Sequence, residues 1–440
     1  MSVSPFKREP ADFAAARVPV KSCWPDRLRV SQRPAWFLVI DTLAIAVAVS
    51  LPWSTSATGV CIALWLTVLV PTINWKHFTL EMARPACALP ILFVGLIVLG
   101  TLWSEASWAA RLHGIKPAAK LLLIPFLFYH FRRSERGLWV FWAFLASCTL
   151  LMILSWVVLF DPSLNIVHTD LAGVPVKDYI AQNQEFALCA FALAACALIA
   201  LRSGHWPTAV MLLALVAAFV ANMVFAAFAR TAMLYMPVLL VLFGLRYLSR
   251  RSMLVLFAGA AVICALAWTM SPYLRQRIAD IGIEYRAHDS TSIASTAQRL
   301  IYWRKSLTLF SEAPLLGHGT GSIRMQFERQ AVGKAGLEAE ITSNPHNQTL
   351  NVAVQWGLPG VLLLYAMWSS HALLFTRRGT TEWIGLVVVV QNVLSSLLNS
   401  HLFDFHQGWL YVLGVGVAGG MSLGAAEGKL QANTISSAAQ

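Results

Sequence analysis

Apolar runs close to 20 residues long recur along most of the chain, separated by short polar stretches. A run of this length crosses the apolar core of a bilayer as a helix, because lipid leaves no partner for exposed backbone groups. Twelve runs are present, at residues 35–52, 57–73, 86–102, 117–131, 137–160, 183–201, 207–228, 231–248, 252–271, 346–376, 381–400 and 408–425. The pattern predicts an all-α polytopic membrane protein with about twelve transmembrane helices.

The fourth run, residues 117–131, is the weakest because it is short and contains Lys120 and Pro125. Basic residues concentrate in the cytoplasmic loops of membrane proteins, so their distribution tests whether the fourth run is a span. With a cytoplasmic N-terminus, alternate loops carry the majority of the 33 basic residues. Omitting the run would place Arg132, Arg133 and Arg136 outside and invert every later loop, so the charge pattern favours keeping it.

This topology divides the chain into five segments. Residues 1–34 and 426–440 are predicted as cytoplasmic tails, residues 35–271 hold the first nine spans, and residues 346–425 hold the last three. The polar segment 272–345 then faces the outside. No cleavage site follows the first apolar run, which is therefore predicted to be a retained span rather than a signal peptide.

The outer segment contains one helical pattern and one turn-rich loop. Apolar residues at 300, 303, 307 and 310 alternate with basic ones, which predicts an amphipathic helix at the membrane surface over 299–310. Pro314 and the glycines at 317, 319 and 321 follow as a loop.

Composition narrows the class of protein. The chain of 440 residues is 58% hydrophobic and 12% charged, with a mean hydropathy of +0.63, which excludes an ordinary soluble domain. The net charge of +12 belongs largely to the loops, so no nucleic acid partner is expected. Seven cysteines, mostly in apolar runs, lack metal-ligand spacing and predict neither a zinc site nor a disulfide framework.

The junction of the outer segment with the tenth span, residues 343–351, carries the clearest candidate chemistry. Asn344 as N-cap and Pro345 at the first helical position predict a helix start, with His346 in the first turn. A helix N-terminus lowers the pKa of an imidazole and attracts anions, so His346 could act as a neutral base beside an anion. The alternative is an interfacial histidine.

Polar side chains continue along the same predicted helix. Asn347, Asn351 and Gln355 share one face at four-residue spacing, which predicts the lining of a cavity. The alternative is that these amides join neighbouring helices.

Two arginines are candidates for phosphate recognition, because a guanidinium donates bidentate hydrogen bonds and stays charged. Arg230 interrupts apolar sequence between two spans, and Arg299 begins the amphipathic helix. The alternative for both is snorkelling to the interface, which is favoured more for Arg299 than for Arg230 because Arg299 begins a basic amphipathic helix. Weaker candidates on the same side are Lys116, Lys120, Arg304 and Arg324.

Two other polar residues have predicted supporting roles. His318 lies in the glycine-rich loop, which lacks a phosphate-loop ending; a tight turn packed on another segment is expected, with His318 near the substrate. Asp404, at the outer end of the eleventh span, could orient His346 or bind an arginine.

Acidic residues are scarce on the outer side. The first outer loop, residues 53–58, has none, so a mechanism without metal or other cofactor is predicted. Asp161, Asp170, Asp178 and Glu185 surround one loop, where solvated charge is favoured over a cation site.

Several of these motifs together resemble the O-antigen ligase family. The resemblance rests on Pro345-His346-Asn347 through Gly360, on Arg230-Thr231, on residues 299–303 followed by 314–319, and on residues 399–404; it covers roughly residues 180–405. It implies a bacterial inner-membrane glycosyltransferase that moves O-antigen glycan from undecaprenyl diphosphate to lipid A–core, completing lipopolysaccharide without a metal. His346, Arg230 and Arg299 are its implied catalytic residues.

The acceptor stays open at this stage. The same motifs occur in O-antigen polymerases and in protein O-oligosaccharyltransferases, which use a similar donor. The alternative from another class is a transporter of polyprenyl-linked glycan, since twelve spans are common in transporters. Transporters typically show repeated halves and broken helices at mid-membrane, whereas here the polar residues concentrate at the outer face.

Overall fold

In a computed structural model, the protein is described over residues 35–166, 172–176, 178–272, 274–276, 278–279 and 295–438. The predicted tail 1–34 lies outside these residues. The described part is helical and contains no strand, which confirms the all-α prediction. Its helices are α1 (Ala35–Ser50), α2 (Thr55–Leu69), α3 (Trp75–Met82), α4 (Pro85–Leu99), α5 (Trp108–Ala119), α6 (Ile124–Phe131), α7 (Gly137–Phe160), α8 (Tyr179–Arg202), α9 (Trp206–Phe225), α10 (Ala232–Tyr247), α11 (Arg250–Met270), α12 (Ser295–Glu312), α13 (Ile323–Ala331), α14 (Gln348–Leu374), α15 (Thr380–Ser395) and α16 (Phe405–Ala438).

Each predicted apolar run coincides with helical structure, but not every helix is long enough to be a span by itself. Within the described residues, seven helices are long and apolar enough to cross a membrane, or eight if α3 and α4, bent by 82°, form one span. The helices α1 and α10 are apolar but shorter. The fourth run is divided between the end of α5, a 3₁₀ turn and α6. These helices indicate a multi-pass membrane protein, and the number twelve stays a prediction.

Two helices at the centre pack closely because their contact faces are made of small residues. Alanines and cysteines of α8 are fully buried against α9 and α15. In α16, a side chain at Gly416 would lie 2.4 Å from Leu127, so the glycine lets α16 approach α6. In a bilayer the hydrophobic effect does not drive helices together, so their association depends on close packing of this kind.

The basic loops come together at one end of the bundle. Glu81 pairs with Arg84 and Arg132, and Arg246 donates a 3.0 Å hydrogen bond to the Phe375 carbonyl. Arg202 bonds the Tyr247 carbonyl. Ser422 of α16 donates to Glu382, and Gly424 lies against the Arg132 carbonyl, so these two groups of loops adjoin. The polar residues around His346 belong to other loops.

The outer segment is built on α12, as the pattern predicted. Tyr302 and Leu309 pack with Ile323, Phe327 and Val354 in a small apolar group, the α12 cluster. The predicted apolar stripe points elsewhere: Leu300 and Leu307 are 45% and 56% exposed. One face of α12 therefore packs on the protein, and the other, which carries Leu300 and Leu307, is exposed. At the C-terminus, α16 continues through Ala438, beyond the predicted end of the span at 425.

Candidate functional site

His346 lies just before α14 rather than within its first turn. The N-cap is Asn347, whose side chain accepts a 3.0 Å hydrogen bond from the Leu350 N–H, so the prediction that Asn344 caps the helix is wrong. His346 has φ of 54°, the one non-glycine with positive φ among the described residues. Asn344 accepts the His346 N–H at 2.9 Å and holds this turn. Strained conformations of this kind cluster at functional sites.

The imidazole of His346 is oriented by a chain of side chains from the loop between α15 and α16. Its Nδ1 lies 2.9 Å from Asn399 Oδ1, and Asn399 Nδ2 donates to Asp404 Oδ2 at 3.0 Å. A carboxylate only accepts, so the amide N–H₂ of Asn399 faces Asp404 and its oxygen faces His346. Nδ1 therefore carries the proton, and Nε2 of neutral His346 keeps a lone pair without a hydrogen bond to any described residue.

The surroundings of His346 keep it neutral. Burial, chiefly, and then the charge of Arg299 lower the pKa of His346, while the Asn399 hydrogen bond and the charge of Asp404 raise it. The direction agrees with the prediction, but the main cause is desolvation rather than the helix terminus. Tyr302 stacks on the imidazole with ring centroids 6.2 Å apart. Of the two arginines predicted to bind diphosphate, Arg299 is close enough for its charge to lower the pKa of His346.

Arg230 lies at a different turn. It joins α9 to α10, is partly buried, and its carbonyl accepts the Met233 N–H at 3.1 Å. Lys116 is exposed on α5. Arg304 pairs with Glu338, and Arg324 with Glu328, on exposed surface. These positions leave the predicted binding roles of Lys116, Arg304 and Arg324 without a geometric link to His346.

Lys120 is buried, and its role in substrate binding stays a prediction. Its Nζ donates to the carbonyl of Phe403, 3.2 Å away, and to that of Asp404. These two hydrogen bonds from Lys120 fix the backbone that carries Asp404. Asp404 itself orients His346 through Asn399, as one of its two predicted roles proposed.

The glycine-rich loop closes over a break in α14. Gly357 has φ of 58° and ψ of −153°, which interrupts the helix and leaves carbonyls unpaired within it. The N–H groups of His318 and Gly319 donate to the Val354 and Gln355 carbonyls, each at 2.8 Å. A side chain at Gly317 would lie 2.5 Å from the Gln355 carbonyl carbon. The prediction of a tight turn packed on another segment is confirmed.

The polar face of α14 is an internal hydrogen-bonded row. Asn351 donates to Ser400 Oγ at 3.1 Å, and Gln355 donates to Asn351 Oδ1 at 2.8 Å and accepts from the Gly321 N–H at 2.7 Å. Asn347 donates to the Leu397 carbonyl besides capping α14. These amides join segments, as the alternative interpretation expected, and a cavity lined by this face stays a prediction.

Buried amides that sequence reasoning missed lie beside this row. Gln348 and Asn392 are 0% and 3% exposed, and neither side chain has a hydrogen-bond partner within the described residues. The Gln348 N–H donates to the Ser396 carbonyl at 2.9 Å. Ser396 follows Asn392 by one helical turn, and Gln348 directly follows Asn347 in the sequence. Unpaired buried amides are rare and costly, so each needs a partner such as water or a ligand.

Asn399 was the other omission. Its hydrogen bond to His346 joins residues 53 positions apart, and no local pattern announces such a partner. Among the described residues, no group of three or more His, Cys, Asp or Glu lies close enough to hold a metal ion. Independence from metal stays a prediction about activity.

Fold and site together define a multi-pass helical membrane protein with a neutral histidine held at one end of its helices, beside an arginine and buried amides. Residues 214–365 match the family model described as O-antigen ligase. The match supports membership of the O-antigen ligase family, and this family indicates a glycosyltransferase-like enzyme that processes O-antigen. No curated protein matches the chain. His346, Arg230 and Arg299 fall within the matched range, whereas Asn399 and Asp404 lie beyond it.

Proposed function

We propose that the protein transfers O-antigen glycan from undecaprenyl diphosphate to lipid A–core, with inversion and without a metal. The observation that carries the proposal is His346, whose Nδ1–H is bonded to Asn399 and whose Nε2 has no partner within the described residues. A neutral imidazole with a free lone pair beside a cation suits the removal of a hydroxyl proton next to an anionic leaving group.

The reaction is a single displacement. Nε2 of His346 takes the proton of an acceptor sugar hydroxyl as its oxygen bonds to the anomeric carbon of the donor. The bond from that carbon to the phosphate oxygen breaks, and undecaprenyl diphosphate leaves with the electron pair. Attack from the opposite face inverts the anomeric centre. No carboxylate of the described residues is bonded directly to His346, which favours this path over a glycosyl-enzyme intermediate.

Arg299 and Arg230 are assigned to the diphosphate. The charge of Arg299 acts on His346, so an anion bound to Arg299 would lie near the base. A planar guanidinium offers two parallel hydrogen bonds and stabilises charge that grows on the leaving group. Arg230 is assigned by the family resemblance, and its partly buried position at the α9–α10 turn is compatible with an anion site.

The unpaired amides are assigned to sugar hydroxyls of the donor. Gln348 and Asn392 offer donors and acceptors that no described residue uses. Gln348 lies two residues after His346, and its N–H donates to the carbonyl of Ser396, one helical turn after Asn392. Sugars present hydroxyl groups that match amides in both roles. A bound sugar would satisfy groups that the protein alone leaves unpaired.

The proposed setting is the bacterial inner membrane, with both termini cytoplasmic and the site on the periplasmic face. The collection of basic loops at one end supports this orientation. A reporter fused after Arg251 should be cytoplasmic, and one inserted near Gly333 periplasmic. Finding both on one side of the membrane would refute the orientation.

The test of function is glycan transfer by the purified protein in detergent, where no compartment exists. Lipid-linked O-antigen and lipid A–core should yield lipopolysaccharide, with or without a chelator. A longer lipid-linked glycan would indicate a polymerase, and glycan on a protein would indicate an oligosaccharyltransferase. No transfer in detergent, with glycan movement across vesicles, would indicate a transporter. Transfer that needs added magnesium or manganese would contradict the metal-free mechanism.

A further inference from the structure

A polar cleft opens beside the α12 cluster, apart from the residues assigned to the reaction. Its volume is about 460 Å³, within the range of about 300–1,000 Å³ usual for small-ligand sites. It lies where the α4–α5 loop, the end of α12, the glycine-rich loop and α13 meet. The lining residues are Trp103, Glu105, Leu309, Glu312, Gly317, His318, Gln326, Arg329 and Gln330.

Trp103 forms a fixed aromatic wall of the cleft. Its indole N–H donates to the Leu316 carbonyl at 3.1 Å, so the ring is oriented without a ligand. The ring stays partly exposed where it faces the cleft. Sugar rings pack their C–H face on the electron-rich face of an aromatic ring, and a pre-oriented indole loses little entropy on binding.

The other polar groups of the lining are of the kind that recognises hydroxyls. The Oε1 atom of Gln330 is buried and accepts no hydrogen bond from the described residues. His318 Nε2 donates to the Leu309 carbonyl at 2.9 Å, which leaves Nδ1 as an acceptor with no described partner. Glu312 adds an exposed carboxylate. Together they offer acceptors for sugar O–H groups beside the indole.

Charge distinguishes this cleft from the diphosphate site. Its one arginine, Arg329, is paired with Glu105 at 2.6 Å, and Glu312 adds a further negative charge. An anionic ligand would meet net negative charge here, whereas an uncharged glycan would not.

The cleft is joined to His346 through α12. Leu309 lines the cleft, and Tyr302, seven residues earlier on α12, stacks on His346. Seven residues of helix span about 10 Å, roughly the length of a short stretch of glycan. A chain that reacts at His346 can therefore reach the cleft with sugars that take no part in the chemistry.

We propose that this cleft is a glycan subsite that binds uncharged sugar residues remote from the reacting bond. The inference rests on the proposed glycan transfer but concerns a separate surface. The glycan can belong to the donor or to the acceptor. If it belongs to the donor, the cleft affects transfer only from a long donor; if it belongs to the acceptor, it affects transfer only to a long acceptor. Binding energy from remote residues is a known means of raising the efficiency of transfer.

The experiment compares transfer by Trp103→Ala and Glu312→Gln with two matched controls, Trp108→Ala and Glu328→Gln. Trp108 is an exposed tryptophan beside Arg111, and Glu328 is an exposed glutamate on α13; neither lines the cleft. Donors that carry one repeat or many are each tested with full and truncated acceptor. Trp103→Phe keeps an aromatic ring, so it reports on stacking if the alanine variant folds poorly.

The expected result is a KM raised about tenfold by Trp103→Ala for the long form of one substrate, with kcat nearly unchanged and partial rescue by Trp103→Phe. The short form of that substrate and both controls should be unaffected. Equal losses with long and short forms of both substrates would overturn the proposal and leave Trp103 a structural residue. Saturation-transfer NMR with the free oligosaccharide tests binding without transfer: signal lost in Trp103→Ala supports the subsite even if the proposed reaction fails, and no signal with wild type refutes it.

Discussion

At the scale of single residues, the site depends on how one imidazole is held. Sequence reasoning could identify His346 and Asp404, because a histidine or a carboxylate at a junction of spans is costly unless it has a function. It could not identify Asn399 as the link between them, since that link exists only when α14 and the α15–α16 loop meet. It also could not show that Lys120 is buried against the Phe403 carbonyl, because burial of a lysine against carbonyls leaves no local pattern.

The charges around His346 predict pH shifts of opposite sign. Arg299 lowers the pKa of His346 and Asp404 raises it. Because the base must be neutral, transfer falls as pH drops through this pKa. Arg299→Gln should therefore move the acid limb of the kcat profile to higher pH, and Asp404→Asn should move it to lower pH. The maximal rates of both variants will also fall, but the direction in which each acid limb moves identifies His346 as the titrating group.

The pH–rate profile of each variant in detergent gives the answer, with Arg304→Gln as a control. Arg304 pairs with Glu338 on exposed surface and is not among the charges acting on His346. Its acid limb should match that of wild type. Shifts of the same sign in Arg299→Gln and Asp404→Asn would show that the acid limb belongs to another group.

At the scale of helices, the sequence predicted the run that became α14 but not its interruption. Gly357 and Pro359 are visible signals of a break, yet an apolar run of this length outweighs them when periodicity alone is considered. The break is stable because the glycine-rich loop supplies N–H groups to the Val354 and Gln355 carbonyls. That contact joins residues far apart in sequence, so no local pattern could show it.

Asn392 on α15 allows a test that separates binding from packing. Its side chain is buried without a partner in the described residues, which costs about 1–3 kcal/mol. Asn392→Leu should raise the midpoint of thermal unfolding by a few degrees. It should also lower transfer roughly tenfold, because a hydrogen bond to donor sugar is lost.

Asn222→Leu is the matched control, since Asn222 is equally buried but donates to Ser155 Oγ at 2.9 Å. Its replacement should lower the unfolding midpoint. Both midpoints are measured in the same detergent, and transfer is measured on the same samples. If Asn392→Leu is destabilised as much as Asn222→Leu, then Asn392 has a structural partner and the sugar assignment fails.

At the scale of the whole molecule, hydropathy and charge predicted the architecture well because lipid imposes a simple rule on every span. The apolar runs became helices, and the loops assigned to one side lie together, as the contacts of Arg202, Arg246 and Arg132 show. The helices α1 and α10 are shorter than a span, and a 3₁₀ turn divides the fourth run. Such interruptions depend on neighbours that a hydropathy average ignores.

The central claim, that His346 removes the acceptor proton, is tested most directly by single-turnover transfer with purified His346→Ala. Loss of a general base should slow the chemical step by about 10²–10⁴-fold while donor affinity stays close to that of wild type. Circular dichroism and size-exclusion profiles equal to those of wild type would establish that the variant is folded. A transfer rate equal to wild type at saturating donor, with only donor affinity reduced, would contradict the account and make His346 a binding residue.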